Sequence, residues 1–400
     1  MTVAKNGARR DYLIDKGGHF LLSRFAYLAG NWNWLFMSLP FDLSTALKGN
    51  SMSTPTQTIR TETKSKMYGM ALKSSIVLFS SLAVLLCAAA LYQLIASSIE
   101  RGQITLPGTF VTVNDRQIYV NCQGPSSGDV IFLENGMGVV SDNWEWVQRE
   151  LATDYRVCAY DRAGTGNSEG VLGKVDALVS SDALIQLLAQ LNISKPVILV
   201  GHSYGALIAR VFADRYPDRV AGLVLVDSSH QDMGARFPPL AQEGFKEMLE
   251  GFGTLATLNH FSGSRMMGVA HMFVDGLEGA PYARGYHHYA SSSHMEGASK
   301  EAEGWERSAQ AARQIDTLGA TPLAVMMVDG WPPVMMPSWS AMQRELATLS
   351  SDSRFVTLKG ADHPGAINRA QFATLVVQEA KLIADRVFDQ TGSKVLATTQ

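Results

Sequence analysis

The chain has no Gly-x-Gly-x-x-Gly fingerprint, no Walker loop and no Cys/His spacing of a zinc site, so nothing in it calls for a nucleotide or a metal. It has no charge excess either. A net charge of -3 over 400 residues is not the footprint of a nucleic-acid binder. Cysteine is scarce, with Cys87, Cys122 and Cys158 alone, and no internal repeat is present. Charged residues make up only 18% and apolar residues 46%, which fits a globular protein carrying an apolar segment. That length suits one large domain with appendages.

The apolar segment is Ser74 to Ile99, without a charge between Lys73 and Glu100. About 20 residues suffice to cross a bilayer, and the run starts too far from the N-terminus, with too long a core, for a signal peptide. Residues 74–99 are therefore expected to be a transmembrane helix. Arg60, Lys64, Lys66 and Lys73 precede it and only Arg101 follows closely. The positive-inside rule then puts residues 1–73 in the cytoplasm and everything after the span on the exoplasmic, periplasmic or lumenal side. Within 1–73, residues 20–40 have apolar side chains at helical spacing and read as an amphipathic helix on the membrane surface. Residues 50–66 are rich in Ser and Thr and read as a flexible linker.

From Thr109 the pattern changes to short apolar strands alternating with helices, which implies a mostly parallel sheet covered on both faces. Strands are expected over 109–113, 117–121, 129–134, 156–160, 197–200, 223–227, 323–328 and 354–359. Between Asp227 and Leu323 the alternation lapses for too long a stretch to be a plain loop, so a helical cap is expected over 231–320. Val197 to Val200 is apolar throughout, as a strand buried on both faces should be. It runs into Gly201-His-Ser-Tyr-Gly205 and then an apolar helix. A serine on a cramped strand-to-helix turn has its hydroxyl displayed above the sheet, and the two glycines let strand and helix come close. Ser203 is the candidate nucleophile.

Leu133-Glu-Asn-Gly-Met-Gly138, Tyr160-Asp-Arg-Ala-Gly-Thr-Gly-Asn-Ser168, Gly201-His-Ser-Tyr-Gly205, Leu223-Val-Leu-Val-Asp-Ser-Ser229 and Gly360-Ala-Asp-His363 follow one another in an order and spacing that resembles the α/β-hydrolase superfamily. The match covers about 110–388 and is most similar to membrane-anchored or exported members. The resemblance implies an α/β-hydrolase fold over 108–400, with eight strands, the second antiparallel, and the cap inserted after the sixth.

A serine hydroxyl needs a base. His363, in a turn after the last strand, is the candidate, because imidazole takes and returns a proton near neutral pH. A carboxylate must then hold the ring. Asp227 ends the sixth strand and Asp329 the seventh, and relatives use either strand end. Asp227 is the first candidate and Asp329 the alternative. By analogy with the family, the backbone amides of Met137 and Tyr204 form the oxyanion hole. Asp161, Arg162 and Ser168 read as loop stabilisers, and His287, His288 and His294 as solvated or substrate-facing residues of the cap. Met233, Phe237, Phe245, Met248, Phe252, Met266, Met267, Met272 and Phe273 either line an apolar acyl pocket or form the cap's own core. The second and fourth strands are neighbours in this fold, so Cys122 and Cys158 are candidates for a disulfide, permitted beyond the membrane.

A serine at the elbow points to acyl transfer. The expectation is a membrane-anchored serine hydrolase, esterase-like, acting on a small apolar acyl substrate with no cofactor and no metal. The alternatives are an N-terminal-residue peptidase or acyltransferase of the same fold, and a weakly catalytic ligand receptor or interaction protein that keeps the fold.

Overall fold

In this computed structural model the described residues are 56–170, 173 and 175–397, with side chains between 66 and 388. The amphipathic helix expected over 20–40 lies outside them. The chain divides into two compact units, Met1–Ser75 and Ile76–Gln400. Helix α1 spans Thr56–Gln103. Residues 56–66, expected to be a linker, are therefore helical: no Pro or Gly interrupts the chain between Pro55 and Gly69, and the helix propagates through the Thr-rich turns once begun. Its stretch Lys66–Gln103 is the one helix among the described residues long and apolar enough to cross a membrane.

Eight strands form one sheet in the order β1-β2-β4-β3-β5-β6-β7-β8. They are β1 Thr109–Val113, β2 Arg116–Gln123, β3 Val130–Glu134, β4 Arg156–Tyr160, β5 Val197–His202, β6 Val220–Val226, β7 Leu323–Val328 and β8 Ser353–Leu358. β1 and β2 form a hairpin, and β2 also runs antiparallel to β4. The pairings from β4 through to β8 are parallel. Asn114 and Asp115 turn the hairpin with φ of 51° and 60°, the left-handed pair that matches strand twist. Strands β3, β5 and β7 are buried along their whole length, because helices cover both faces.

Those helices are α2 Glu145–Leu151, α3 Ala177–Gln190 and α4 Tyr204–Arg215. An insert between β6 and β7 follows, with α5 Pro239–Asn259, α6 Gly279–Tyr289, α7 Ser292–Glu303 and α8 Trp305–Arg313. The chain closes with α9 Met336–Ala347 and α10 Ala370–Ala397. One core layer joins Leu199, Leu223 and Val325 to α3, α4, α8 and α9. The other joins Ile198, Val224 and Met326 to α2 and α10. A third cluster, with Phe252, Leu255, Tyr289 and Met295, belongs to the insert. Phe252, Phe237 and Met233 are buried there or against the sheet, whereas Met248, Met266, Met267 and Met272 are exposed, so most of the methionines expected either in a pocket or in the cap's core face outward.

Cys122 and Cys158 are directly opposed in the β2–β4 register and joined as a disulfide. Cys87 is free and exposed on α1.

Candidate active site

Parallel strands deliver their C-terminal ends to one edge of the sheet, and the candidate residues collect there. β5 ends at His202 and α4 begins at Tyr204. Ser203 between them has φ 55° and ψ -120°, a conformation that L-residues adopt only under strain. The tightness of the bend explains the glycines. A Cβ on Gly205 would run into the carbonyl oxygens of Glu134 and Asn135, and one on Gly201 into Ala206 of the helix.

Asp227 follows β6 and is also held at positive φ, 44°. It is fully buried and accepts four hydrogen bonds. Oδ1 accepts from the Val328 amide at 3.1 Å and from Trp339 Nε1 at 2.8 Å. Oδ2 accepts from Trp331 Nε1 at 3.0 Å and from His363 Nδ1 at 2.6 Å. Such a set of donors fixes the carboxylate in place. The alternative acid, Asp329, accepts from the Gly360 amide at 2.6 Å instead. The physical reason is register: β7 lies between β6 and β8, and the chain leaves it into the turn that supports Gly360 rather than toward the ring. The Gly330 amide donates to Ala361 O at 3.0 Å, completing that turn.

His363 is anchored from a second side. The His202 ring lies 4.5 Å from the His363 ring, and His202 Nε2 donates to the His363 carbonyl at 2.9 Å. A carbonyl only accepts, so His202 carries its proton on Nε2. Its Nδ1 is buried without a partner among the described residues, and burial, helped by His363, drives its pKa well down. The ring is neutral.

Ser203 Oγ faces Ser229 Oγ at 3.5 Å. No hydrogen bond joins it to the His363 ring among the described residues. The two nonetheless reach the same strand ends, since the residue before Ser203 bonds to the His363 backbone.

Opposite the serine runs the loop 135–138, beside which a buried ionic cluster sits. Arg162 Nη1 donates to Glu134 Oε1 at 2.7 Å and Nε to Glu301 Oε1 at 2.6 Å. The same guanidinium donates to the carbonyls of Asn135 and Gly136. Glu301 Oε2, from α7 of the insert, accepts from the Gly138 amide at 2.8 Å. Burial raises the Glu134 carboxyl in spite of Arg162. His294 Nδ1 accepts from the Gly166 amide at 3.0 Å, which leaves Nε2 to donate to Gly138 O at 3.0 Å. The carbonyls are thereby drawn onto Arg162 and His294, and the Met137 and Tyr204 amides donate to no described residue. Asp161 accepts from the amides of Ser141 and Asn167, and Ser168 Oγ donates to Asp161 O.

His287, His288 and His294, read from the sequence as solvated or substrate-facing, are buried. His287 Nδ1 lies 3.0 Å from Glu100 Oε2, and His288 and His294 are buried, with pKa values lowered to about 3 chiefly by desolvation. One group with metal-ligand geometry is present among the described residues, His230, Asp232 and Glu345. Its carboxylates already pair with Arg313 and Arg236, which is a poor environment for a cation.

Residues 129–267 match a family model described as alpha/beta hydrolase fold. An uncharacterized protein of Schizosaccharomyces pombe is 30% identical over 156 residues, 32% of this chain and 29% of that one. The uncharacterized protein YqjL of Bacillus subtilis is 33% identical over 131 residues, 32% of this chain and 51% of that one. The matched part thus spans about a third to a half of the curated relatives' length. Among solved structures, a thermophilic esterase from Thermogutta terrifontis superposes with a TM-score of 0.54 at 21% identity, covering 71% of this chain and all of the esterase. The fold is the α/β-hydrolase fold.

On this hydrolase fold the sequence motifs offered Ser203 and His363 as candidates and left Asp227 and Asp329 as alternative acids; of the two, Asp227 is the one that contacts the His363 ring. The motifs did not offer Trp331, Trp339, Glu301, His294 or Ser229. Ser229 closes the Leu223–Ser229 motif and His294 was one of the cap histidines noted, but Trp331, Trp339 and Glu301 come from stretches with no local signature.

Proposed function

We propose that the protein is a serine hydrolase that works through an acyl-enzyme. The observation carrying this reading is the 2.6 Å contact from His363 Nδ1 to Asp227, made at the strand ends where Ser203 sits on its strained turn. Asp227 keeps the proton on Nδ1, so Nε2 is free to act as base. In this mechanism the Ser203 side chain turns from Ser229 to Nε2 when substrate binds, as catalytic hydrogen bonds that are loose in the free enzyme tighten in the complex. Oγ then attacks the acyl carbonyl and its proton passes to His363. The oxyanion is met by the free amides of Met137 and Tyr204, at the positive end of α4. His363 returns the proton to the leaving group, and water releases the acyl group by the same steps in reverse order. The substrate class is an ester, thioester, lactone or amide with a small apolar acyl part, and no metal or cofactor takes part.

Helix α1 is proposed as a single membrane anchor, with residues before it cytoplasmic and the hydrolase unit on the other side. The apolar, exposed run on α1 and a disulfide suited to an oxidising compartment both support that orientation.

One observation favours a second reading, a ligand receptor that barely turns over: Ser203 Oγ rests on Ser229 and not on the base. A fluorophosphonate probe separates the two. Labelling of the wild type that disappears in Ser203→Ala is the expected result. A folded wild type that takes no label overturns the hydrolase reading.

A further inference from the structure

Between Glu250 and Asp275 the insert holds a single charged residue, Arg265. It is bracketed by Glu243, Glu247 and Glu250 on one side and by Asp275 and Glu278 on the other. Arg265 is not available to solvent. Its side chain is 5% exposed and forms an ion pair with Glu100, while Nε donates to Gln93 Oε1 at 3.0 Å. Outside α1, ten large apolar side chains are exposed among the described residues. Four of them, Leu258, Met266, Met267 and Met272, fall in this short stretch, with Met266 at 75%. Thr257, His260 and His271 are exposed beside them. An apolar cluster with its only charge neutralised marks a contact surface rather than ordinary solvated surface.

The stretch is tied to a defined level of α1. Ser262 Oγ has Ala89 O at 3.3 Å and Gln93 Oε1 at 3.1 Å as acceptors within reach of its one proton, and Gln93 Nε2 donates to Ala290 O at 2.8 Å. About 20 helical residues cross the hydrocarbon. Counted from Lys73, the last base before the apolar run, the crossing ends near Gln93. Tyr92 is exposed at that level, and tyrosine is a residue type enriched where helices leave the bilayer. The exposed methionines therefore sit beside the point at which α1 emerges.

We propose that the segment Leu258–Met272 docks into the surface of the same bilayer that α1 crosses, with Leu258, Met266, Met267 and Met272 entering the acyl boundary. This rests on α1 being a membrane span. Unbranched methionine adapts to a disordered lipid surface at little cost, and burying apolar side chains in the headgroup boundary is how interfacial segments bind. The insert that docks is the one whose Glu301 and His294 hold the loop 135–138.

The test uses the full chain in phosphatidylcholine vesicles containing doxyl-labelled lipid, on a Cys87→Ser background with the disulfide kept oxidised. A fluorophore is attached at Leu82→Cys in the proposed span, at Met266→Cys and Met267→Cys, and at Val334→Cys as an exposed control. Lipid quenching severalfold stronger at Met266→Cys and Met267→Cys than at Val334→Cys, with weaker quenching by aqueous iodide, is the expected result. Quenching at Leu82→Cys alone, with positions 266 and 267 behaving like 334, overturns the docking and leaves the anchor standing. Protection from iodide without lipid quenching at 266 and 267 also overturns it, in favour of contact with a second copy. Absence of lipid quenching at Leu82→Cys removes the anchor and the docking together.

Discussion

His363 Nδ1 and Asp227 Oδ2 stand 2.6 Å apart, whereas the Asp329 carboxylate is engaged by the Gly360 amide one strand away. The two acids follow adjacent parallel strands, but Asp227 is fully buried among four donors and Asp329 is exposed. Asp227→Asn is expected to leave the four-donor socket filled but to present an amide to the ring. Loss of the correct tautomer of this kind lowers turnover by roughly four orders of magnitude. Asp329→Asn is expected to stay within a fewfold of wild type. Hydrolysis of a p-nitrophenyl ester by both variants checks the pair. A large loss in Asp329→Asn with an active Asp227→Asn would reverse the assignment.

Arg162 is balanced by two buried carboxylates and is bonded to the backbone of the loop opposite Ser203. In Glu301→Gln the Gly138 amide keeps an acceptor, but the guanidinium loses one of its two counter-charges. Breaking a buried pair in this way costs about 3–5 kcal/mol, read as a lower urea midpoint. If the loop amides position the oxyanion, kcat falls with little change in KM, because the lost alignment is felt in the transition state.

His288 and His294 give the folded state a defined acid limit. Their pKa values are lowered from the ordinary 6.5 to about 3, first by burial and then by neighbouring histidines. The unfolded chain therefore binds more protons below pH 6.5. The stability these neutral rings contribute is fully present above pH 6.5 and is lost as pH falls toward 3. Each ring adds a slope of about 1.4 kcal/mol per pH unit within that window. His294 is bonded to the loop, but His288 Nε2 has no described partner. His288→Phe is thus expected to flatten the slope by one ring's worth, in denaturant titrations between pH 7 and pH 5. An unchanged slope would mean that His288 takes up its proton in the folded protein.

Strand positions were legible because β3, β5 and β7 are covered on both faces and so appear as unbroken apolar runs. The strand-turn-helix at Ser203 was legible because a strand, a glycine-flanked serine and an apolar helix follow one another locally. The choice between Asp227 and Asp329 was not, since both are acids at ends of neighbouring strands and only side-chain direction separates them. The Arg162–Glu301 and Gly138–His294 contacts join residues well over a hundred positions apart, and no periodicity announces such pairs. The insert histidines misled for a related reason: polar residues in an irregular stretch read as solvated, yet the burial of His288 is set by how α6 and α7 pack.

The disulfide ties β2 to β4 directly across the ladder and closes a loop of 36 residues. That loop contains β3, α2 and the segment 135–138, so its unfolded form has much conformational freedom to lose. Constraining a loop of that length stabilises the native state by about 4 kcal/mol in the chain-entropy model. Cys122→Ser/Cys158→Ser is accordingly expected to lower the thermal midpoint without changing the fold, because the two side chains lie in a ladder whose backbone hydrogen bonds remain. The reduced wild type should match the double variant, and reoxidation should restore the midpoint. If the reduced and oxidised proteins unfold at the same temperature, the cross-link contributes nothing to stability, and the β2–β4 ladder is held by its packing alone.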